Sequence, residues 1–174
     1  MAVKKKKQFA YDFGIDHYKG LLGIYFNKII RNIIDIGKLN ERTGLRVLDF
    51  GCGLKKLKPL IKNYIGYDID EKFTEIKDWR KAEFDVVVAN QVFKYMAKEE
   101  LEAFIKQLYR RNPKVEMIFG ATKINTKIFK FLKKSYVDVK LSYDEQLAIL
   151  NKYFTMLNKK TLLGLNDIYL MKFK

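Results

Sequence analysis

Arg46-Val47-Leu48-Asp49-Phe50-Gly51-Cys52-Gly53 is the stretch on which the fold turns. A short apolar strand runs directly into a glycine turn. Glycines let a backbone approach a ligand closely, and helix N-terminal N–H groups favour negative charge. In a parallel sheet such a turn lies in the crevice at the carboxyl ends of the strands, where ligands sit. A nucleotide or a dinucleotide would fit this turn equally well.

Outward from the turn, strands alternate with helices. Leu57, Leu60 and Ile61 predict a short helix with Pro59 in its early turns. Tyr64-Ile65-Gly66-Tyr67 reads as a second strand ending at Asp68. Phe84 to Ala89 is a third, apolar on both faces, as expected for the covered centre of a parallel sheet. Leu101, Phe104, Ile105, Leu108 and Tyr109 mark an amphipathic helix over 98–110, and Val115 to Gly120 is the next strand. Ile128, Phe129 and Leu132 fit a helix over the sheet edge within the harder stretch 121–141. Ser142 and Glu145 form a capping box opening a helix to about Tyr153. Strands over 155–163 and 168–173, joined by Gly164-Leu165-Asn166-Asp167, predict an antiparallel hairpin.

Upstream, Leu21, Leu22, Tyr25, Phe26, Ile29, Ile30, Ile33 and Ile34 give one broad apolar helix face over 17–38, with Gly37 as its stop. Residues 1–16 form a basic, aromatic-bearing arm. The expected fold is α/β: a three-layer αβα sandwich with a mainly parallel, Rossmann-like sheet and a C-terminal antiparallel hairpin. The 174 residues fit one domain, with an N-terminal arm and helix over 1–40 and a core over 45–174.

Composition narrows the function classes. Hydrophobic residues make up 48% and charged residues 32%, which reads as globular rather than disordered. Cys52 is the one cysteine and His17 the one histidine, so an intrachain disulfide and most His/Cys metal sites fall away. No metal is expected. A basic start followed by Gln8, Phe9, Ala10 and Tyr11 lacks the apolar core of a secretory signal, and no apolar run is long enough to span a membrane. A cytoplasmic location is the expectation. The formal net charge is +15, a field that attracts polyanions. The lysines are spread along the whole chain, so a solvated cationic surface explains the charge at least as well.

Three positions sharpen the glycine motif. Asp49 lies two residues before Gly51. Asp68 ends the next strand, 19 residues after Asp49, where an acid can accept hydrogen bonds from both hydroxyls of a ribose. Asn90 follows the third strand at the mouth of the same crevice. With VLDFGCG (47–53), YIGYD (64–68) and FDVVVANQVFKYM (84–96) in this order, the sequence resembles the class I S-adenosylmethionine-dependent methyltransferases. The resemblance covers roughly residues 45–120, and the C-terminal hairpin ending in IYLMKFK (168–174) is similar to the family's last two strands.

The resemblance implies S-adenosylmethionine as cofactor and methyl transfer as the reaction. It implies that Asp49, Gly51 and Gly53 surround the methionine end, its carboxylate near the helix N-terminus. Asp68 would hold the ribose. Asp78 and Trp79 would stand beside the adenine, and Asn90 and Gln91 would line the floor between cofactor and acceptor. Cys52, within the cofactor loop, reads as a small packing residue and not a nucleophile. Candidate bases are Asp12, Asp16, His17 and Tyr18 in the N-terminal arm, with Asp16, His17 and Asn90 taken as the catalytic set.

Three departures from the family stand out. Lys55 takes the place of a third glycine. Only thirteen residues separate Asp70 from Phe84, so the sheet edge at the third strand must be abbreviated. Lys94-Tyr95 replaces the Glu-His found in many small-molecule members. Asn90-Gln91-Val92-Phe93 also lacks the Pro-Pro pair of the amino-directed nucleic-acid methylases. The segment ANQVFKYM (89–96) resembles that of small-molecule methyltransferases, so a small-molecule, glycan or lipid-linked acceptor is slightly favoured over RNA. Lys4–Lys7 with Phe9, Tyr11 and Phe13 interleaved keeps RNA in view. A non-catalytic nucleic-acid or membrane-surface binding module on a degenerate fold is the alternative. An NAD-binding oxidoreductase fits less well, because of Asp49 and the FDVVVAN segment. The oligomeric state is open.

Overall fold

The structure is a computed structural model that describes residues 19–123 and 139–174. A six-stranded sheet forms its middle layer. The strands are β1 (Arg46–Phe50), β2 (Asn63–Tyr67), β3 (Val86–Asn90), β4 (Glu116–Thr122), β5 (Phe154–Leu162) and β6 (Asn166–Phe173), in the order β2-β1-β3-β4-β6-β5. The first four are mutually parallel; β6 runs antiparallel to β4 and to β5. The expected hairpin and mainly parallel sheet are both present. The expected abbreviation is present too: residues 68–85 add no strand beyond β2, only a 3₁₀ turn at Trp79–Lys81.

Alternation along the strands divides the core in two. Leu48, Phe50, Val87, Ala89, Met117 and Phe119 face α2 (Lys98–Arg111) and α3 (Tyr143–Tyr153). Val47, Val86, Val88, Ile118 and Ile168 face α1 (Gly20–Gly37), through Ile29, Ile30, Ile33 and Ile34. Because β1, β3 and β4 are covered on both sides, their sequences run almost continuously apolar. The Ser142–Glu145 capping box opens α3: the Ser142 hydroxyl accepts from Glu145 N–H, and the Glu145 carboxylate accepts from Ser142 N–H.

Two local expectations are corrected. Gly37 is the last residue of α1 and not its stop; Lys38 takes the left-handed conformation (φ 48°) and its N–H closes the helix end. Gly37 is needed for close approach instead, since a Cβ there would press on Ile118 of β4. The short helix after the glycine turn is only a 3₁₀ turn, Lys58–Leu60. So few residues separate Gly53 from β2 that, with Pro59 among them, no α-helix forms. The predicted helix within 121–141 falls mostly outside the described residues.

Candidate functional site

The carboxyl ends of β1, β2 and β3 bring Asp49, the 51–55 loop, Asp68 and Asn90 to one rim. The loop is bent by left-handed backbone at Gly51 (φ 78°), Gly53 (φ 45°) and Lys55 (φ 52°). It is pinned to β2: Gly51 and Cys52 N–H donate to the Tyr67 carbonyl at 2.7 and 3.0 Å. Gly53 N–H donates to Asp68 Oδ2 at 2.9 Å, and Asp70 N–H donates to Asp68 Oδ1 at 3.0 Å. Asp68 thus receives one backbone donor on each oxygen. A carboxylate has about four acceptor positions, so both oxygens keep capacity for further donors. Without a following α-helix, the expected anion-favouring helix N-terminus is not there.

The two glycines do different work. A Cβ at Gly51 would strike the Val92 side chain, so Gly51 exists for packing between the β1 and β3 loops. A Cβ at Gly53 would meet nothing within 4 Å among the described residues. Among the described residues the space over Gly53 is open, a cradle beside the Asp68 carboxylate.

Asp49 is buried at the end of β1 and accepts from Tyr64 OH at 3.0 Å. Burial lifts its carboxyl to about 7, opposed by the Tyr64 hydrogen bond and reinforced by Asp68 and Glu75. Cys52 donates its thiol to the Phe73 carbonyl at 3.3 Å, and burial raises it to about 12. It stays a thiol at neutral pH, a packing residue and no nucleophile.

Lys55 reaches Glu75 at 3.7 Å, and Glu75 also binds Lys58 and Gly66 N–H. A lysine held at φ 52° costs about 1 kcal/mol or more relative to glycine, which is the physical reason a glycine suits this position. We expect Lys55→Gly to change stability in urea unfolding by less than about 1 kcal/mol, relief of strain offsetting glycine's entropy and a half-exposed ion pair. A loss above about 2 kcal/mol would mean that the Glu75 pair pins the loop.

Asn90 and Gln91 close the other side. Asn90 stands opposite Gly120 in the β3–β4 register, and a Cβ at Gly120 would collide with its Oδ1. Asn90 Oδ1 and Gln91 Nε2 are buried without a hydrogen-bond partner among the described residues. Gln91 itself is left-handed (φ 63°). A buried unsatisfied polar group costs about 1–3 kcal/mol, and both of these lie where β3 ends.

The remaining assignments separate. Asp78 caps the Trp79–Lys81 turn and is clasped by Arg80, whose Nε donates at 2.6 Å; this hydrogen bond lowers the carboxyl. Trp79 is buried among Phe50, Phe84 and Phe104. Asp12, Asp16, His17 and Tyr18 lie outside the described residues. Sequence reasoning missed Tyr64, Val92 and Gly120; a glycine inside a strand was the available signal for Gly120. Among the described residues, no group of His, Cys, Asp and Glu side chains is placed to hold a metal ion, and no helix is long and apolar enough to cross a membrane.

No family model matches the chain, and no curated protein matches it by sequence. Solved structures do. The PH0226 protein from Pyrococcus horikoshii OT3 is similar over 96% of this chain and 100% of its own, with TM-score 0.68 and 17% identity. The magnesium protoporphyrin IX methyltransferase from Synechocystis PCC 6803, with bound SAH, is similar over 94% and 86%, with TM-score 0.58 and 17% identity. The Pnkp1/Rnl/Hen1 RNA repair complex is similar over 84% of this chain and 41% of that one, with TM-score 0.59 and 14% identity. With its sheet order and hairpin, the chain has the fold of the class I S-adenosylmethionine-dependent methyltransferases.

Proposed function

We propose that this chain, as a single domain, binds S-adenosylmethionine and transfers its methyl group to an acceptor. The open cradle over Gly53 beside Asp68 carries the reading. There Asp68 would accept from the ribose hydroxyls with the capacity left on its two oxygens. Asp49 and the 51–53 loop would surround the methionine end, and a cationic ammonium arriving there favours the charged form of Asp49. Asp78 and Trp79 are assigned to the adenine side, where Asp78 must exchange Arg80 for the base. When bound, the cofactor supplies a methyl group already activated by its sulfonium charge. The protein's task is then alignment, and positioning alone can supply much of the rate.

For the acceptor we propose a small molecule, glycan or lipid-linked group ahead of RNA. Support comes from the Asn90-Gln91 floor, whose two unpartnered polar atoms suit a compact polar acceptor. The structural neighbours include one named for a porphyrin and one belonging to an RNA repair complex, and so do not choose. Asp16 and His17 are assigned as candidate bases from the arm.

Calorimetric titration tests the cofactor. S-adenosylmethionine and its demethylated product are expected to bind with micromolar affinity, and Asp68→Ala to abolish both. A folded protein that binds neither would end this reading. RNA binding that falls steeply with salt would move the acceptor to RNA.

A further inference from the structure

Gly66 lies inside β2, where a glycine weakens a strand and marks a close approach. A Cβ there would stand 3.0 Å from the Tyr64 hydroxyl oxygen, 3.1 Å from Tyr64 Cε1 and 3.1 Å from Cys52 Sγ. The register gives the reason. Tyr64 is opposite Val47, whereas Gly66 is opposite Asp49. To reach Asp49 the phenol must lie along its own strand for two residues, about 6.6 Å. Bare backbone at Gly66 gives it that track. The phenol ends with its hydroxyl donating to Asp49 Oδ2 at 3.0 Å.

We propose that Tyr64 is a positioning residue of the cofactor site: its hydroxyl, laid over Gly66, holds the Asp49 carboxylate in the orientation and the charged form that receive the cofactor's ammonium group. The proposal rests on the methyl-transfer reading above. The Cys52 thiol is a poor competitor for the phenol proton. It gives its own proton to the Phe73 carbonyl at 3.3 Å, and sulfur is only a weak acceptor. Tyr64 itself stays protonated, because burial and then the Asp49 charge raise its hydroxyl well above the ordinary phenol range. It is therefore a lasting donor, aimed at one carboxylate oxygen.

The charges around Asp49 make such a donor necessary. Burial lifts its carboxyl to about 7, and Asp68 and Glu75 push the same way, against the Tyr64 hydrogen bond. On the neighbouring strand β3 the residue opposite Asp49 is Val88, which carries no charge. In the loop after β1, Cys52 remains a thiol, while Lys55 and Lys58 both pair with Glu75. A neutral carboxyl would leave an arriving ammonium without a counter-charge in a buried place. A hydrogen bond donated to the ionised form works against that outcome.

The test is calorimetric titration of the full chain with S-adenosylmethionine and its demethylated product, from about pH 6 to about pH 9. Wild type, Tyr64→Phe, Asp49→Asn and the double variant are compared, each shown to be folded by urea unfolding. Ionised Asp49 favours binding, so wild-type affinity should fall as pH drops through about 7. Without the phenol's hydrogen bond the fall should begin about one pH unit higher. Tyr64→Phe should therefore bind about fivefold or more weakly at about pH 7 and approach the wild type by about pH 9. In the Asp49→Asn background the same substitution should change nothing; the pH profile decides where that background binds too weakly to measure. An equal loss in both backgrounds means that Tyr64 acts on the fold and not through Asp49, and overturns the proposal. So does wild-type affinity with an unshifted profile in Tyr64→Phe, and either result leaves the cofactor reading intact. Where Tyr64→Phe does not fold, 3-fluorotyrosine at position 64, a stronger donor of nearly the same shape, should move the fall to lower pH; an unmoved profile overturns the proposal. A folded wild type that binds neither ligand removes the cofactor reading, and the role with it.

Discussion

Asp167→Asn is expected to destabilise the protein by about 3 kcal/mol or more at pH 7. The Asp167 side chain is fully buried, at 0% exposure, where the β5–β6 hairpin meets the carboxyl end of β4. Thr161 donates to its Oδ1 at 2.7 Å, and Tyr169 to its Oδ2 at 3.0 Å, where the Tyr143 hydroxyl also donates. Lys123 and Lys159 reach the same oxygen at 3.1 and 2.9 Å. One carboxylate therefore ties β4, both hairpin strands and α3 together. Asparagine keeps the size but turns an amide towards two ammonium groups. The lysines are 35% and 39% exposed and can swing partly into water, which limits the loss.

The pH dependence follows from the sign of the shift. Burial opposes ionisation, but hydrogen bonds from Tyr143, Lys159, Thr161 and Lys123 hold the carboxyl far below its usual range. A carboxyl depressed below its unfolded value of about 3.9 stabilises fully above roughly pH 5 and loses this as pH falls through the folded value. Urea unfolding of the wild type and Asp167→Asn should therefore show a gap that is widest near neutral pH and shrinks from pH 5 downward. A gap independent of pH would show that shape, not charge, holds the corner.

How much of this was legible in the sequence depends on whether a residue's role is local. The β1 strand, its glycine turn and Asp68 could be read directly, because strand period, turn chemistry and spacing act over a few residues. The missing edge strand was legible for the same reason: the stretch between Asp70 and Phe84 is too short to hold it. The Asp167 corner was not, since Lys123, Tyr143 and Lys159 meet only through long-range pairing. In sequence, Asp167 was simply a turn residue. In sequence, Lys94 marks only the lack of a histidine, because nothing local says that a lysine between Phe93 and Tyr95 is buried. Gly51 and Gly53 looked equivalent, and only the position of Val92 separates them.

That separation gives the second large effect. Gly51→Ala places a methyl against Val92 in a backbone at φ 78°. Left-handed strain and overpacking together should cost about 2–3 kcal/mol. Adding Val92→Ala to the same chain frees the space, and should recover the packing share while the backbone strain remains. Gly53→Ala differs, because its methyl meets no atom of the described residues. Its stability cost should stay near about 1 kcal/mol, the strain alone. Yet the methyl stands in the open space beside Asp68 that we assign to the cofactor. Binding of S-adenosylmethionine should weaken at least about tenfold, equivalent to about 1.4 kcal/mol. Urea unfolding and calorimetry on the same three variants separate the two roles. If Gly53→Ala binds as well as the wild type, the cradle is not the cofactor's place. If Gly51→Ala regains both stability and binding once Val92 is trimmed, that glycine serves the ligand only through the packing of its loop.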